Sequence, residues 1–335
     1  MNRSILLIPA LFAVLMGKAQ VSDQIFADPP DLKKLAGRIL VVELPEENAK
    51  VIEGFPKKRA AQKTEAYRAS LAAYRAQIEP AVRAHWKFNE QIEFKTTSEI
   101  VGLFKKKSPK YVVLLKALLL DGGGASYHSF GFGVPALVLT RTDGEDNKVT
   151  KKGDVSIRNH DFQSYLVVSP DSAEREVYSP ASMKATLVLM QDYLNWNIKN
   201  KKSKTFMVYS KEMGLKNCES LAKRTLLVDK VSGLYKGCTT EEAHTSYAHQ
   251  LVLVDRSELE STYLKGDDTK AVLFSVPVGT IKGGLLIVET TYLVFSKLIL
   301  DPVTGEILAA QNPGLGKSIA EGLMRADLKA LSKCE

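Results

Sequence analysis

The chain has 335 residues, 45% of them hydrophobic and 25% charged, a profile of a globular protein with room for two ordinary domains that excludes a disordered chain. Its formal net charge is +8, which favours anionic partners. No nucleic-acid-binding motif accompanies that charge, so nucleic acid is not an expected partner.

Asn2, Arg3 and Ser4 make a short basic start, and Ile5 to Met16 is apolar. Gly17-Lys18-Ala19 then places small residues where a signal peptidase reads. This layout predicts a secretory signal peptide over residues 1–19, cleaved near Ala19, and a periplasmic or secreted mature protein. The apolar run is too short for a bilayer, which takes about 20 residues. Later in the chain, Ile281 to Leu300 is the most apolar stretch, but Lys282, Glu289 and Lys297 interrupt it, so no transmembrane segment is expected after processing.

Residues 20–36, with Asp28-Pro29-Pro30-Asp31, read as a lead-in. Arg38 to Leu44 is short, apolar and β-branched, a buried strand. A long helix is predicted over roughly 57–87, where Tyr67, Leu71, Tyr74, Ile78 and Val82 form one stripe and Pro80 should kink the helix or start a new turn. Strands follow at 91–94 and 111–120, with a short helix at 98–104 between them. Further strands are read at 134–140 and 162–168, flanking a charged loop with the turn signal Asp143-Gly144. A helix over 182–198 closes a first α/β unit, residues 37–198, and the Lys199 to Lys204 stretch marks a basic linker over 199–206.

The second unit, residues 207–335, repeats the order: strand 224–229, helix 241–247, strand 251–254, helix 258–264, strand 271–276. Strand pairs at 284–290 and 291–300, a turn at Val303-Thr304-Gly305, strand 306–309 and a final helix near 319–332 complete it. Residues 84–116 lie on 243–275 without a gap. Ala84, His85, Gln91, Ser98, Glu99, Lys106, Val113 and Leu114 then meet identical residues at Ala243, His244, Gln250, Ser257, Glu258, Lys265, Val272 and Leu273. The expected fold class is α/β: two tandem related βαβαβ-β-β-α units with mixed sheets and helices packed on them.

Three cysteines, Cys218, Cys238 and Cys334, match no zinc spacing, so no metal and no cofactor is expected. In an oxidising compartment Cys218 and Cys238 are the disulfide candidate, since both flank the strand at 224–229. Ser98-Glu99 and Ser257-Glu258 could be mistaken for catalytic pairs. Thr96-x-x-Glu99 and Asp255-x-x-Glu258 explain them as capping boxes, and Ser318-x-x-Glu321 is a third. Gly314-Leu315-Gly316-Lys317-Ser318 resembles a P-loop tail, but Gln311 stands where that motif needs glycine. His85 and His244, equivalent in the alignment, sit near helix ends, where the macrodipole favours a cation. The Gly-rich stretch Asp121 to Gly133 offers a ligand-contacting loop through Tyr127, His128, Phe130 and Phe132.

The Ala19-Gln20 end of the leader and the strand pattern resemble secreted, uncharacterised proteins of Bacteroidota, a resemblance that implies export and no particular activity. Export, duplication and basic charge lead to an exported non-catalytic binding or assembly protein of the periplasm or envelope. Its partner would be an envelope protein or an anionic surface. The alternative is an exported hydrolase with dispersed catalytic residues.

Overall fold

The structure, a computed structural model, describes residues 20–21, 29–120, 124–126, 133–144, 148–149, 155–158, 162–167, 179–201, 203–283, 290–313 and 321–334. The leader, Tyr127, His128, Phe130, Phe132, Lys151-Lys152 and the Gly314 to Ser318 stretch lie outside them.

Two mixed sheets with helices packed around them form the α/β architecture. In the first, β2 (Ile39–Leu44) is flanked by parallel β3 (Ile92–Thr96) and β4 (Tyr111–Leu120). Antiparallel β6 (Gly133–Arg141) and β9 (Phe162–Val167) continue from β4. The end of β4 also pairs with β5 (Gly124–Ser126), which leads to β8 (Val155–Arg158) and β7 (Lys148–Val149). In the second sheet, β10 (Thr225–Asp229) is flanked by parallel β11 (Leu251–Val254) and β12 (Lys270–Gly283). Antiparallel β13 (Thr290–Leu300) and β14 (Ile307–Gln311) follow, and β1 (Gln20–Val21) pairs with Gly279 and Thr280 of β12.

The five main strands of each sheet therefore share one order and one set of directions. The registers agree too. Ile39 faces Tyr111 as Thr225 faces Lys270, and Leu40 faces Ile92 as Leu226 faces Leu251.

The helices are α1 (Pro29–Ala36), α2 (Ala49–Glu53), α3 (Ala60–His85), α4 (Thr97–Lys106), α5 (Pro180–Asn200), α6 (Phe206–Leu221), α7 (Thr240–Ser246), α8 (Arg256–Lys265) and α9 (Arg325–Lys333). Three of them, α1, α2 and α6, are absent from the sequence reading, and α9 starts later than read. The supposed lead-in contains α1, which buries Pro29, Leu32 and Leu35 at three-residue spacing. The stretch after the basic connection forms α6, with Phe206, Tyr209, Gly214, Cys218 and Leu221 buried. Its buried face includes small and polar residues, which blur the apolar stripe. Gly214 is required there, because an added Cβ would lie 2.8 Å from the Ala310 nitrogen of β14. Pro80 neither breaks nor restarts α3, which runs through it.

Capping follows the sequence at Thr96. Its hydroxyl accepts from the Glu99 amide at 3.3 Å, and Glu99 Oε2 accepts from the Thr96 amide at 2.8 Å. At Asp255 the expected box is not made: the carboxylate is drawn 2.5 Å from Lys230 Nζ and forms no cap bond. The final helix starts at Arg325, later than expected, with Met324 in place of Ser318 at its N-cap.

Helix α5 is the centre of the molecule. From Ala181 to Gln191 every residue is buried, as expected of a helix covered on all sides. Its Leu187, Met190 and Leu194 share one core with Leu40, Val112 and Leu137 of the first sheet and Phe274, Leu298 and Ile307 of the second. Each fully buried side chain of this kind stabilises by about 1.5–3 kcal/mol. Buried Lys184 ties α5 to the second sheet's surroundings, donating to the Tyr263 and Pro302 carbonyls at 2.9 Å. Burial lowers its pKa. The other face of the second sheet, including Leu226, Leu273 and Ile299, packs with Tyr247, Leu328 and Leu331 in a separate core.

The cysteine pairing corrects the sequence reading. Cys218 of α6 bonds Cys334, the C-cap of α9, with Cα atoms 5.6 Å apart, and Cys238 is a buried free thiol. Helices α6 and α9 both lie against β14, which brings their cysteines together across 116 residues of chain. Cys238 instead packs with Leu226, Val228 and Ala243.

Candidate functional site

In open α/β sheets, ligands favour the carboxyl ends of parallel strands where successive connections leave on opposite faces. The second sheet has such a point between β10 and β11. Ala243 of α7, following β10, joins the core on one face, and Leu259 and Tyr263 of α8, following β11, join the core on the other. The first sheet has the equivalent point between β2 and β3, with α3 and α4 as connections.

Each point carries a buried acidic residue near the end of its central strand. Glu43 of β2 accepts from the Thr97 hydroxyl at 2.8 Å and from the Lys116 amide at 3.2 Å. Nearby, Glu46 Oε2 accepts from both the hydroxyl and the amide of Ser98, at 2.5 and 2.8 Å. Those bonds hold the Glu46 carboxyl below its ordinary pKa. Ser98 thus serves the entry of α4.

Asp229 takes the corresponding place on β10. Its carboxylate accepts from the Val231 amide at 2.8 Å and the Ser232 hydroxyl at 3.2 Å. Arg256, the first residue of α8, stands 4.0 Å from Asp229 and donates to Glu260 at 2.8 Å. Glu321 completes the cluster. Burial raises its pKa, Arg256 opposes that rise, and Asp229 adds to it.

At the opposite end of the parallel strands, the two sheets again match. Arg38 donates to Asp143 at 2.7 and 3.1 Å and to the Tyr111 carbonyl at 3.3 Å. Arg224 donates to Asp301 at 2.9 Å and to the Lys270 carbonyl at 3.2 Å. Burial works to raise the Asp143 pKa, but Arg38 holds it below its ordinary value.

A third acidic position lies on α5. Asp192 is pushed up to about 6 by burial and then by Glu306. Burial also raises Tyr209 and Tyr263, to which Asp192 contributes. Among the described residues, no group of three or more His, Cys, Asp or Glu is placed to hold a metal. None of the described helices is long and apolar enough to cross a membrane.

The sequence-derived loop site, Tyr127, His128, Phe130 and Phe132, falls outside the described residues. His85 does end α3, but burial, with Lys184 and Lys87, lowers its pKa, so the macrodipole does not dominate. Glu43 and Asp229 were not singled out from sequence. Their signal was the match of Arg38-Ile-Leu-Val-Val-Glu43 with Arg224-Thr-Leu-Leu-Val-Asp229, an arginine before and an acid after four buried strand residues. No family model, no curated protein and no solved structure matches this chain.

Proposed function

We propose that this is an exported, non-catalytic binding or assembly protein of the periplasm or cell envelope, built from two copies of one α/β unit. The observation that carries this reading is the employment of the strand-end carboxylates. Glu43 and Asp229 stand where such sheets place ligand groups, yet both are engaged within the fold: Glu43 accepts from the Thr97 hydroxyl at the start of α4 and from the Lys116 amide of β4, and Asp229 accepts from the turn that follows its strand. These acids organise the fold. The shared strand order, registers and Arg–Asp pairs support the duplication. The net charge, +8 for the whole sequence and +6 once Arg3 and Lys18 leave with the leader, favours an anionic partner.

The test is to incubate the mature protein with native envelope fractions and to assay it in parallel on ester, phosphoester, glycoside and peptide substrates. Specific, salt-sensitive retention without turnover supports the proposal. Turnover that disappears in Asp229→Asn or Glu321→Gln overturns it.

Such turnover would favour the second reading, an exported hydrolase. The observation on its side is the convergence of Asp229, Glu321 and Arg256 at the β10–β11 end.

A further inference from the structure

Three groups of surface cations can be compared by position. Lys105 and Lys106 lie in the last turn of α4 with Lys107 as its C-cap, and Lys199 lies in the last turn of α5 with Lys201 as its C-cap. The helix macrodipole favours cations there, so both groups have a sufficient structural reason.

The third group has the opposite placement. Lys57, Lys58 and Arg59 form the short 3-10 turn that enters α3, and Lys63 follows in the first turn of that helix. No acidic residue stands in that first turn. Four cations crowd the positive end of a 26-residue helix, where they repel one another and the macrodipole. No carboxylate among the described residues lies within ion-pair distance of any of the four, although Glu53 and Glu65 are close in sequence. Lys63 Nζ lies over the Phe55 ring, 5.9 Å from its centroid. All four are exposed, as are Gly54, Pro56, Ala61 and Gln62 beside them. This corner is anchored from below by buried Val51 and Phe55.

Folding does not account for this arrangement, and an external anion does. An exposed corner with four cations fits a flat, multivalent anionic surface better than a small ligand that needs enclosure. We propose that Lys57, Lys58, Arg59 and Lys63 form an electrostatic contact surface for an anionic lipid bilayer. The inference rests on the binding reading above and names its surface and partner class. Juxtaposed basic residues of this kind add roughly tenfold or less in partitioning each, and their effect fades within a Debye length.

The experiment is co-sedimentation of the mature protein with phosphatidylglycerol/phosphatidylcholine vesicles and with phosphatidylcholine alone, at low and high salt. The variants are Lys57→Glu/Lys58→Glu/Arg59→Glu and, as control, Lys105→Glu/Lys106→Glu, with circular dichroism to verify folding. The expected result is binding to the anionic vesicles only, reduced at least tenfold by the first variant and by high salt, and far less by the control. Equal loss in both variants overturns the assignment of this corner while leaving an anionic-surface reading intact. No binding by the unaltered protein to the vesicles or to heparin-agarose overturns both. Tight binding to heparin-agarose without vesicle binding also overturns the proposal, in favour of a polyanionic glycan. Should the triple variant fail to fold, Lys57→Gln/Lys58→Gln gives the same reading with a smaller expected loss.

Discussion

Arg224 reaches across the amino end of the second sheet to Asp301 at 2.9 Å, and both side chains are largely buried. Asp301 also accepts from the Val303 amide at 2.8 Å, so one carboxylate joins the start of β10 to the β13–β14 turn. Arg38 and Asp143 form the same link in the first sheet, between the start of β2 and the segment following β6. Removing one partner of a buried pair leaves an uncompensated charge. Asp301→Asn is therefore expected to lower stability by about 3 kcal/mol, and Asp143→Asn, on the more exposed carboxylate, by about 1 kcal/mol. Urea midpoints of the two variants check the order. Equal losses would show that burial does not set it.

The Cys218–Cys334 bond encloses 116 residues and ties α6 to the end of α9. In the chain-entropy model a loop of this length stabilises by about 4–5 kcal/mol. Cys334→Ser should lower the denaturation midpoint substantially, and reductant should then have no further effect. Thiol counting on the denatured, unreduced protein should find Cys238 alone. Three reactive thiols, or Cys238 in the bond, would refute this pairing.

Lys297 of β13 donates to Asp327 of α9 at 2.6 Å inside the second core. Asp327 also accepts from the Met324 amide at 2.9 Å. Lys297→Met leaves that carboxylate buried without its cation and should cost about 3 kcal/mol. The double change Lys297→Met/Asp327→Leu should recover most of the loss, less about 1 kcal/mol for the lost cap. Thermal unfolding of the three proteins decides it. A double variant no better than the single one would mean that the pair supplies a specific geometry apolar residues cannot replace.

Asp192 yields a pH dependence with a definite sign. Its carboxyl is raised from 3.8 to about 6 in the fold, by burial first and Glu306 second. Between those values the folded state holds a proton that the unfolded state has released. This contribution to stability is therefore complete below pH 3.8 and is lost as pH rises through about 6. Its full size is at most about 3 kcal/mol. Asp192→Asn should remove this part of the decline between pH 4 and 7, seen as a flatter plot of urea midpoint against pH. An unchanged slope would place the proton elsewhere.

Much of the fold was legible where a strand or helix carried its own pattern. Arg38 to Leu44 and Leu251 to Val254 were visible because β-branched runs bounded by polar residues have few other uses. Thr96 announced α4, since its cap bonds are local. Helix α6 was hidden because Ser210 and Gly214 occupy its buried face, where close approach to β14 matters more than apolar character. Asp255 misled because a cap forms only if nothing stronger takes the carboxylate, and Lys230 does.

The same division explains the rest. By itself the sequence determined the five main strands of each sheet, the starts of α3, α4, α5, α7 and α8, the repeated order of those elements and the basic charge, because these follow from periodicity, backbone preference and composition over short spans. Only the tertiary structure decided which cysteine Cys218 meets, that α5 lies between the sheets, and that Glu43 meets Thr97 and Lys116. Each of these depends on distances between segments far apart in the chain, and those distances are set by how both sheets bury their faces around one helix.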